Sequence, residues 1–230
     1  MHKGIFITST DTGVGKTFVA VSLLMAMKEM GLHVCPMKPV ETGCRIKDGK
    51  LIPQDAINLI NASGINEPIN VINPYRFKHP LAPSVAAELE GVSIRKRKIL
   101  TAYNYLLNKY NITIVEGAGG IMVPVYKKYL ILDLVKDLNT PLIIVSRPSI
   151  GTINHTLLTI EAARSRGIDI IGVIINYSSK TKKGLSEKTN PEIIERLGRV
   201  SVLGVVPYLD NPALIGKDFY KIADKILKKL

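Results

Sequence analysis

Apolar residues in this chain fall into short unbroken runs separated by stretches with helical spacing. The first run, Ile5, Phe6 and Ile7, reads as a buried strand, and Phe18 to Met30 carries the spacing of a helix. Strand-like runs recur at Val34 to Val40, Ile112 to Val115, Leu142 to Val145, Ile170 to Ile175 and Val202 to Val206, with helix-like patterns between them. Segments such as I-D-I-I-G-V-I-I-N are apolar on both faces of the strand. A parallel sheet covered by helices on each side satisfies that pattern; a half-exposed antiparallel sheet does not. The predicted fold is therefore α/β, a doubly wound, mostly parallel sheet with helices on both faces. Ligands of such sheets collect at the carboxyl ends of the strands, so the residues that follow each apolar run are the candidates for chemistry. The last segment sets Phe219, Ile222, Ala223, Ile226, Leu227 and Leu230 on one face, as in a helix docked on the sheet.

Length and composition narrow this picture without redirecting it. The 230 residues, 46% of them hydrophobic, can bury a large core, and with no linker-like stretch dividing the chain a single domain, 1–230, is expected. Cys35 and Cys44 have no metal-ligand spacing and read as cytosolic thiols. The start M-H-K-G-I-F-I-T is too short in apolar residues for a secretory signal, and no later run is long enough to span a bilayer, so a soluble cytoplasmic protein is expected. The net charge of +12 raises nucleic acid or an acidic membrane as a partner. Its placement points away from both: Arg95 to Lys98 opens a helix-like segment, Lys180, Lys182 and Lys183 share a polar loop, and Lys225, Lys228 and Lys229 lie opposite the apolar face of the last helix.

The chemistry begins at the first strand-to-helix junction, G-I-F-I-T-S-T-D-T-G-V-G-K-T. Thr10 stands where the strict phosphate-loop pattern has its first glycine, yet G-V-G-K-T follows an apolar strand and opens an amphipathic helix, the context that confirms the motif. The first N–H groups of that helix are free to meet a polyphosphate, with Lys16 reaching the terminal phosphates and the Thr17 hydroxyl ligating magnesium. The fold is then of the phosphate-loop NTPase type. After the second strand, M-K-P-V-E-T-G-C presents Lys38 among apolar residues, where a lysine needs an anionic partner. Asp55, just before an apolar-periodic run, reads as a helix N-cap in preference to a metal ligand. In I-T-I-V-E-G-A-G-G a buried strand delivers Glu116 to the ligand edge ahead of a glycine-rich turn, and a carboxylate beside phosphates is a natural magnesium ligand. Asn154 and His155 open a helix as capping or surface residues, while Asn176 and the Val206–Pro207–Tyr208 segment close strands where a base pocket would lie.

Taken together and in order, S-T-D-T-G-V-G-K-T, K-P-V-E-T-G, V-E-G-A-G-G, G-T-I-N-H and I-I-N resemble the dethiobiotin synthetases over nearly the whole chain. The resemblance implies a homodimer of doubly wound subunits acting on 7,8-diaminopelargonate, carbon dioxide or bicarbonate, and magnesium ATP. Carried over by position, it implies that Thr12, Gly13, Val14, Gly15, Lys16 and Thr17 hold the phosphates and that Thr17, Asp55 and Glu116 ligate Mg2+, which displaces the N-cap reading of Asp55. It further implies that Lys38, Thr42, Thr12 and Gly119 face the diamine and its carbamate, and that Gly119 also borders ATP. Asn176 and Pro207 would contact adenine, and Asn154 would reach the substrate carboxylate across the dimer interface. Lys16 and Lys38 are then the catalytic residues. Departures from the family pattern are Ser9 in place of a glycine, whose Cβ is expected to narrow the loop, Gly13 where some members carry glutamate, and Lys188 near the place of a substrate-binding tyrosine. A rival reading is a positioning ATPase of the kind that moves DNA or septum proteins, whose members usually carry lysine where this chain has Asp11. In that reading the last helix would serve as a membrane or DNA anchor.

Overall fold

In a computed structural model, which describes residues 3–180, 184–208 and 217–230, a six-stranded sheet forms the centre of the molecule. Its strands are β1 (Lys3–Ser9), β2 (Val34–Met37), β3 (Ile112–Gly120), β4 (Leu142–Ser146), β5 (Ile170–Asn176) and β6 (Val202–Val206). They lie in the order β6-β5-β4-β1-β3-β2, and every neighbouring pair is parallel. The chain leaves β1, crosses to the edge strand β2, returns to β3 beside β1, and then builds outward on the other side. That reversal opens a crevice at the carboxyl ends of β1 and β3.

Strand periodicity explains the two layers of helix. Ile5 and Ile7 of β1, Ile114 of β3 and Ile143 and Val145 of β4 face α1 (Lys16–Glu29) and a last helix over Lys217–Leu227. Phe6, Val115 and Ile144 point the other way, onto helices over Lys96–Lys109, Ile131–Leu138, Thr152–Ser165 and Leu185–Gly198. The two hydrophobic cores of a doubly wound sheet are thus written as alternate residues of the same strands. In the last helix Phe219, Ile222, Ala223 and Ile226 are buried, and the Phe219 ring meets Phe18 of α1 edge-on, 5.8 Å between centroids. Burying a side chain of this size is worth about 1.5–3 kcal/mol, so the helix docks on the sheet and offers no apolar face to a membrane. Among the described residues no helix is long and apolar enough to cross a bilayer. Lys182 and Lys183, placed by the sequence in a polar loop, lie outside the described residues.

Several boundaries differ from the sequence reading, for local reasons. The run Val34 to Val40 breaks after Met37, because Pro39 has no N–H to give to a ladder, and Val40–Glu41 pairs instead with Tyr75–Arg76. Pro36 is tolerated within β2 because that strand lies at the sheet edge. The glycines after Glu116 do not form a turn; β3 continues through them to Gly120. They are there for close approach: a Cβ on Gly117 would stand 2.9 Å from the Phe6 ring, and one on Gly120 would stand 3.2 Å from the Ser9 carbonyl oxygen. The helix predicted to open at Asn154 begins earlier, at Thr152, with Gly151 as its cap.

Gly172 of β5 gives a test of sheet packing. A Cβ there would lie 2.6 Å from the Ser201 carbonyl oxygen and 2.5 Å from Leu203 Cγ, so backbone as well as side chain would have to move. Gly172→Ala is expected to lower stability by about 1–3 kcal/mol, read as a fall in the urea midpoint with unchanged m value. A midpoint equal to the parent's would show that β5 and β6 separate without cost.

Candidate active site

The phosphate loop runs from the end of β1 to the start of α1. Gly13 and Gly15 have φ of 78° and 88°, the left-handed region open to glycine, and Gly15 caps a helix that has neither a side-chain cap nor an acid in its first turn. The N–H groups at that end face the loop and carry the positive end of the helix dipole. Val14 is buried, and its carbonyl accepts a hydrogen bond from Asn176 Nδ2 at 2.8 Å. Asn176 therefore holds the loop from β5, while its Oδ1 is buried and unpartnered. Gly15 sits so close to this amide that any Cβ would overlap it.

Ser9 stands at the entry to the loop. It ends β1 in strand conformation, and its hydroxyl lies 2.8 Å from the Asp11 carbonyl and 3.2 Å from that of Gly119, while accepting from Lys16 Nζ at 3.3 Å. A glycine could do none of this. Asp11 takes the Thr12 N–H at 2.7 Å and forms an ion pair with Arg147, a residue at the end of β4 that the sequence reading did not single out.

Beside the loop lies a cluster of charge with little water. Lys38 Nζ is 2.5 Å from Glu116 Oε1 and 2.9 Å from Asp55 Oδ2, with the Lys38 and Glu116 side chains 4% and 1% exposed. Burial alone would lower the Lys38 pKa; the carboxylates of Glu116 and Asp55 outweigh it and hold the ammonium well above its ordinary value. Lys16 has no such contact. Burial, and then the positive charge of Lys38, bring its pKa down to about 8. One lysine is locked in its charged form and the other is poised to gain or lose a proton.

Thr17 Oγ1 donates to Glu116 Oε1 at 2.8 Å, whereas Glu116 Oε2 is buried and has no partner. That orphaned oxygen, with the Thr17 hydroxyl and the Asp55 carboxylate, makes an all-oxygen donor set suited to magnesium. Among the described residues no three His, Cys, Asp or Glu side chains gather as a metal cage. Two carboxylates and a hydroxyl fit an ion that takes its remaining ligands from phosphate and water.

The N-cap reading of Asp55 fails in the structure. Pro53 occupies the cap of the helix Gln54–Ser63, which we label α2, and Asp55 lies inside the first turn with its carboxylate turned to Lys38. The cap is supplied by Glu41, whose Oε1 and Oε2 accept the N–H groups of Asp55 and Ala56 at 2.9 and 3.0 Å. Sequence reasoning missed Glu41, since local capping signals do not reach fourteen residues back.

A cavity of about 710 Å³ joins these groups. Thr12, Gly13, Gly15, Lys16, Thr17, Lys38, Thr42, Asp55, Glu116 and Gly119 all line it, with Glu41 and an apolar wall of Val40, Pro80, Leu81 and Val123. Asn154 is exposed in the first turn of its helix, outside the cavity of its own chain, and Lys188 is likewise exposed. Pro207 is half-buried just after β6, away from the cavity lining, and Asn176 meets the loop from behind.

A family model described as an AAA domain matches residues 3–213. The ATP-dependent dethiobiotin synthetase BioD of Thermodesulfovibrio yellowstonii is 42% identical over 235 residues, covering 99% of this chain and 96% of the relative. That of Methanocaldococcus jannaschii is 42% identical over 222 residues, covering 95% and 99%. Among solved structures, the cell division ATPase MinD of Pyrococcus furiosus aligns over 100% of both chains with a TM-score of 0.59 and 17% identity, a likeness of fold alone. With identity of this level over nearly the full length of both relatives, the chain belongs to the ATP-dependent dethiobiotin synthetase family.

Proposed function

We propose that the cavity closes a cyclic urea on 7,8-diaminopelargonate using carbon dioxide and ATP, within a single domain spanning 1–230. The observation that carries this reading is the pair of lysines, Lys16 and Lys38, set with Glu116 and Asp55 beside the phosphate loop in one cavity. The substrate nitrogen adds to carbon dioxide, loses a proton and becomes a carbamate. Lys38, kept charged by its two carboxylates, offsets the new negative charge where little water competes. Thr12, Thr42 and Gly119 border the place where diamine and carbamate meet.

The loop from Thr12 to Thr17 then holds ATP with its γ-phosphate toward the carbamate. Lys16 neutralises charge on the phosphoryl group as it passes to the carbamate oxygen. Thr17, Asp55 and Glu116 would hold a magnesium ion, which would supply positive charge to offset that of the phosphates. Attack of the second amine on the carbamate carbon expels phosphate and closes the ring, with no covalent bond to the protein at any step. Adenine is placed beside Asn176 and Pro207, where the unpartnered Asn176 Oδ1 supports an amine donor nearby.

A homodimer is part of the same proposal. Ile150 and Leu158 flank Asn154 and are 87% and 61% exposed, which supports coverage of that surface by a second copy. The partner's cavity would then receive Asn154 as a ligand for the substrate carboxylate. Nucleic acid and membrane have no role in this reading, and the basic residues that open the helix Lys96–Lys109 and those of the last helix lie on separate elements.

ADP release is expected to require both the diamine and bicarbonate, and a product heavier than the diamine by carbon dioxide less water should appear in mass spectra. Hydrolysis indifferent to both small molecules would remove the synthetase reading and leave the fold intact. Lys38→Gln is expected to bind ATP but to lose ring closure by at least about a hundredfold, since the glutamine keeps much of the shape without the charge. Near-parent closure would make Lys38 structural.

A separate outcome concerns protons. With its pKa brought down to about 8, Lys16 is expected to regain its proton beside phosphate, so ATP binding should take up more protons near about pH 9 than near about pH 6.5. Calorimetry in buffers of different ionisation enthalpy measures this. Equal uptake at both pH values, or uptake retained in Lys16→Gln, would assign the proton elsewhere.

A further inference from the structure

Glu41 faces the cavity and has no role in the chemistry above, yet it is only 5% exposed and both its oxygens are engaged. α2 needs it, because Pro53 at the cap has no side-chain acceptor for the first N–H groups. A carboxylate taking two successive N–H groups makes charge-assisted bonds at the positive end of the helix. Its own backbone is pinned as well: Val40–Glu41 pairs with Tyr75–Arg76, and the Glu41 carbonyl accepts the Phe77 N–H at 2.8 Å.

One of the two captured N–H groups belongs to Asp55 itself, whose carboxylate meets Lys38 and faces Glu116 across it. A shift of the first turn of α2 would carry the Asp55 carboxylate with it, while Thr17 and Glu116, held on other elements, stayed behind. We propose that Glu41 is a positioning residue that clamps the start of α2, sets Asp55 against Thr17 and Glu116, and thereby determines how tightly the divalent cation of the nucleotide is held. The inference rests on the reading of Asp55 as a metal ligand. An ordinary helix cap would change stability alone, whereas this one changes cation affinity in a fully folded protein.

The test uses manganese with ATP, followed by electron paramagnetic resonance, on the parent, Glu41→Gln, Glu41→Ala, Asp55→Asn and the double variant Glu41→Ala/Asp55→Asn. Urea unfolding identifies a temperature at which each is folded. Glu41→Gln should weaken manganese binding by about tenfold and Glu41→Ala by up to about a hundredfold, the range for partners that orient metal ligands. The magnesium concentration giving half-maximal turnover should rise in step, with turnover at saturating magnesium falling less. In the Asp55→Asn background, Glu41→Ala should add less than about a twofold loss, because the residue being positioned is gone. Parent-like manganese binding by both Glu41 variants, with Asp55→Asn weakened, would overturn the positioning role. So would an undiminished Glu41 effect in the Asp55→Asn background. Equal binding by parent and Asp55→Asn would remove both this inference and the metal role of Asp55, and dependence of ADP release on diamine and bicarbonate would still stand or fall separately.

Discussion

The site depends on a buried charge balance. Lys38 can remain an ammonium at 3% exposure only because Glu116 and Asp55 stand within 3 Å of it, and the Glu116 side chain, itself buried, meets both Lys38 and Thr17. Removing one partner from such a group leaves a charge without compensation, at a cost of about 3–5 kcal/mol. The elements around it are arranged to keep the partners in reach. β3 brings Glu116 beside the loop, the break after Met37 releases Lys38 from the sheet, and the capped start of α2 presents Asp55. Lys16 is the counterpart whose charge is not compensated by direct contact, and its lowered pKa follows from burial and from Lys38. Within the cavity the two lysines are matched by the carboxylates of Glu116 and Asp55, and Lys16 is the cation that no carboxylate touches.

Much of this was legible in the order of residues. Unbroken apolar runs required a sheet covered on both faces, and the two cores built from Ile5 and Ile7 on one side and Phe6 on the other meet that requirement. The phosphate loop and Glu116 could be placed because they sit directly after strands, where periodicity and turn chemistry are local signals. Asp55 and Glu41 could not. The partner of each is set by how α2 packs against the segment after β2, and the usual capping rules see only neighbours in sequence. The glycines of β3 misled for a related reason: a glycine needed for a neighbour's ring and a glycine needed for a turn look alike until the neighbour is known.

Fold and family part company here. The cell division ATPase MinD of Pyrococcus furiosus shares the fold at 17% identity, and the likeness extends no further than the fold. The flank of the loop in this chain is held by its own contacts. Asp11 is tied to Arg147 and to the Thr12 N–H, so the entry to the loop carries an anion with an intramolecular partner.

The contact between Gly15 and Asn176 has a consequence for how such a chain can vary. The loop leans on β5 through a single amide, with no room for a methyl group between them. A side chain at position 15 is admissible only if position 176 shrinks and gives up its hold on Val14, and the left-handed backbone at 15 would still resist the change. Two residues far apart in the chain are thereby bound into one unit of inheritance: neither can drift alone, and a library that randomises the loop without also varying the end of β5 will sample mostly dead sequences.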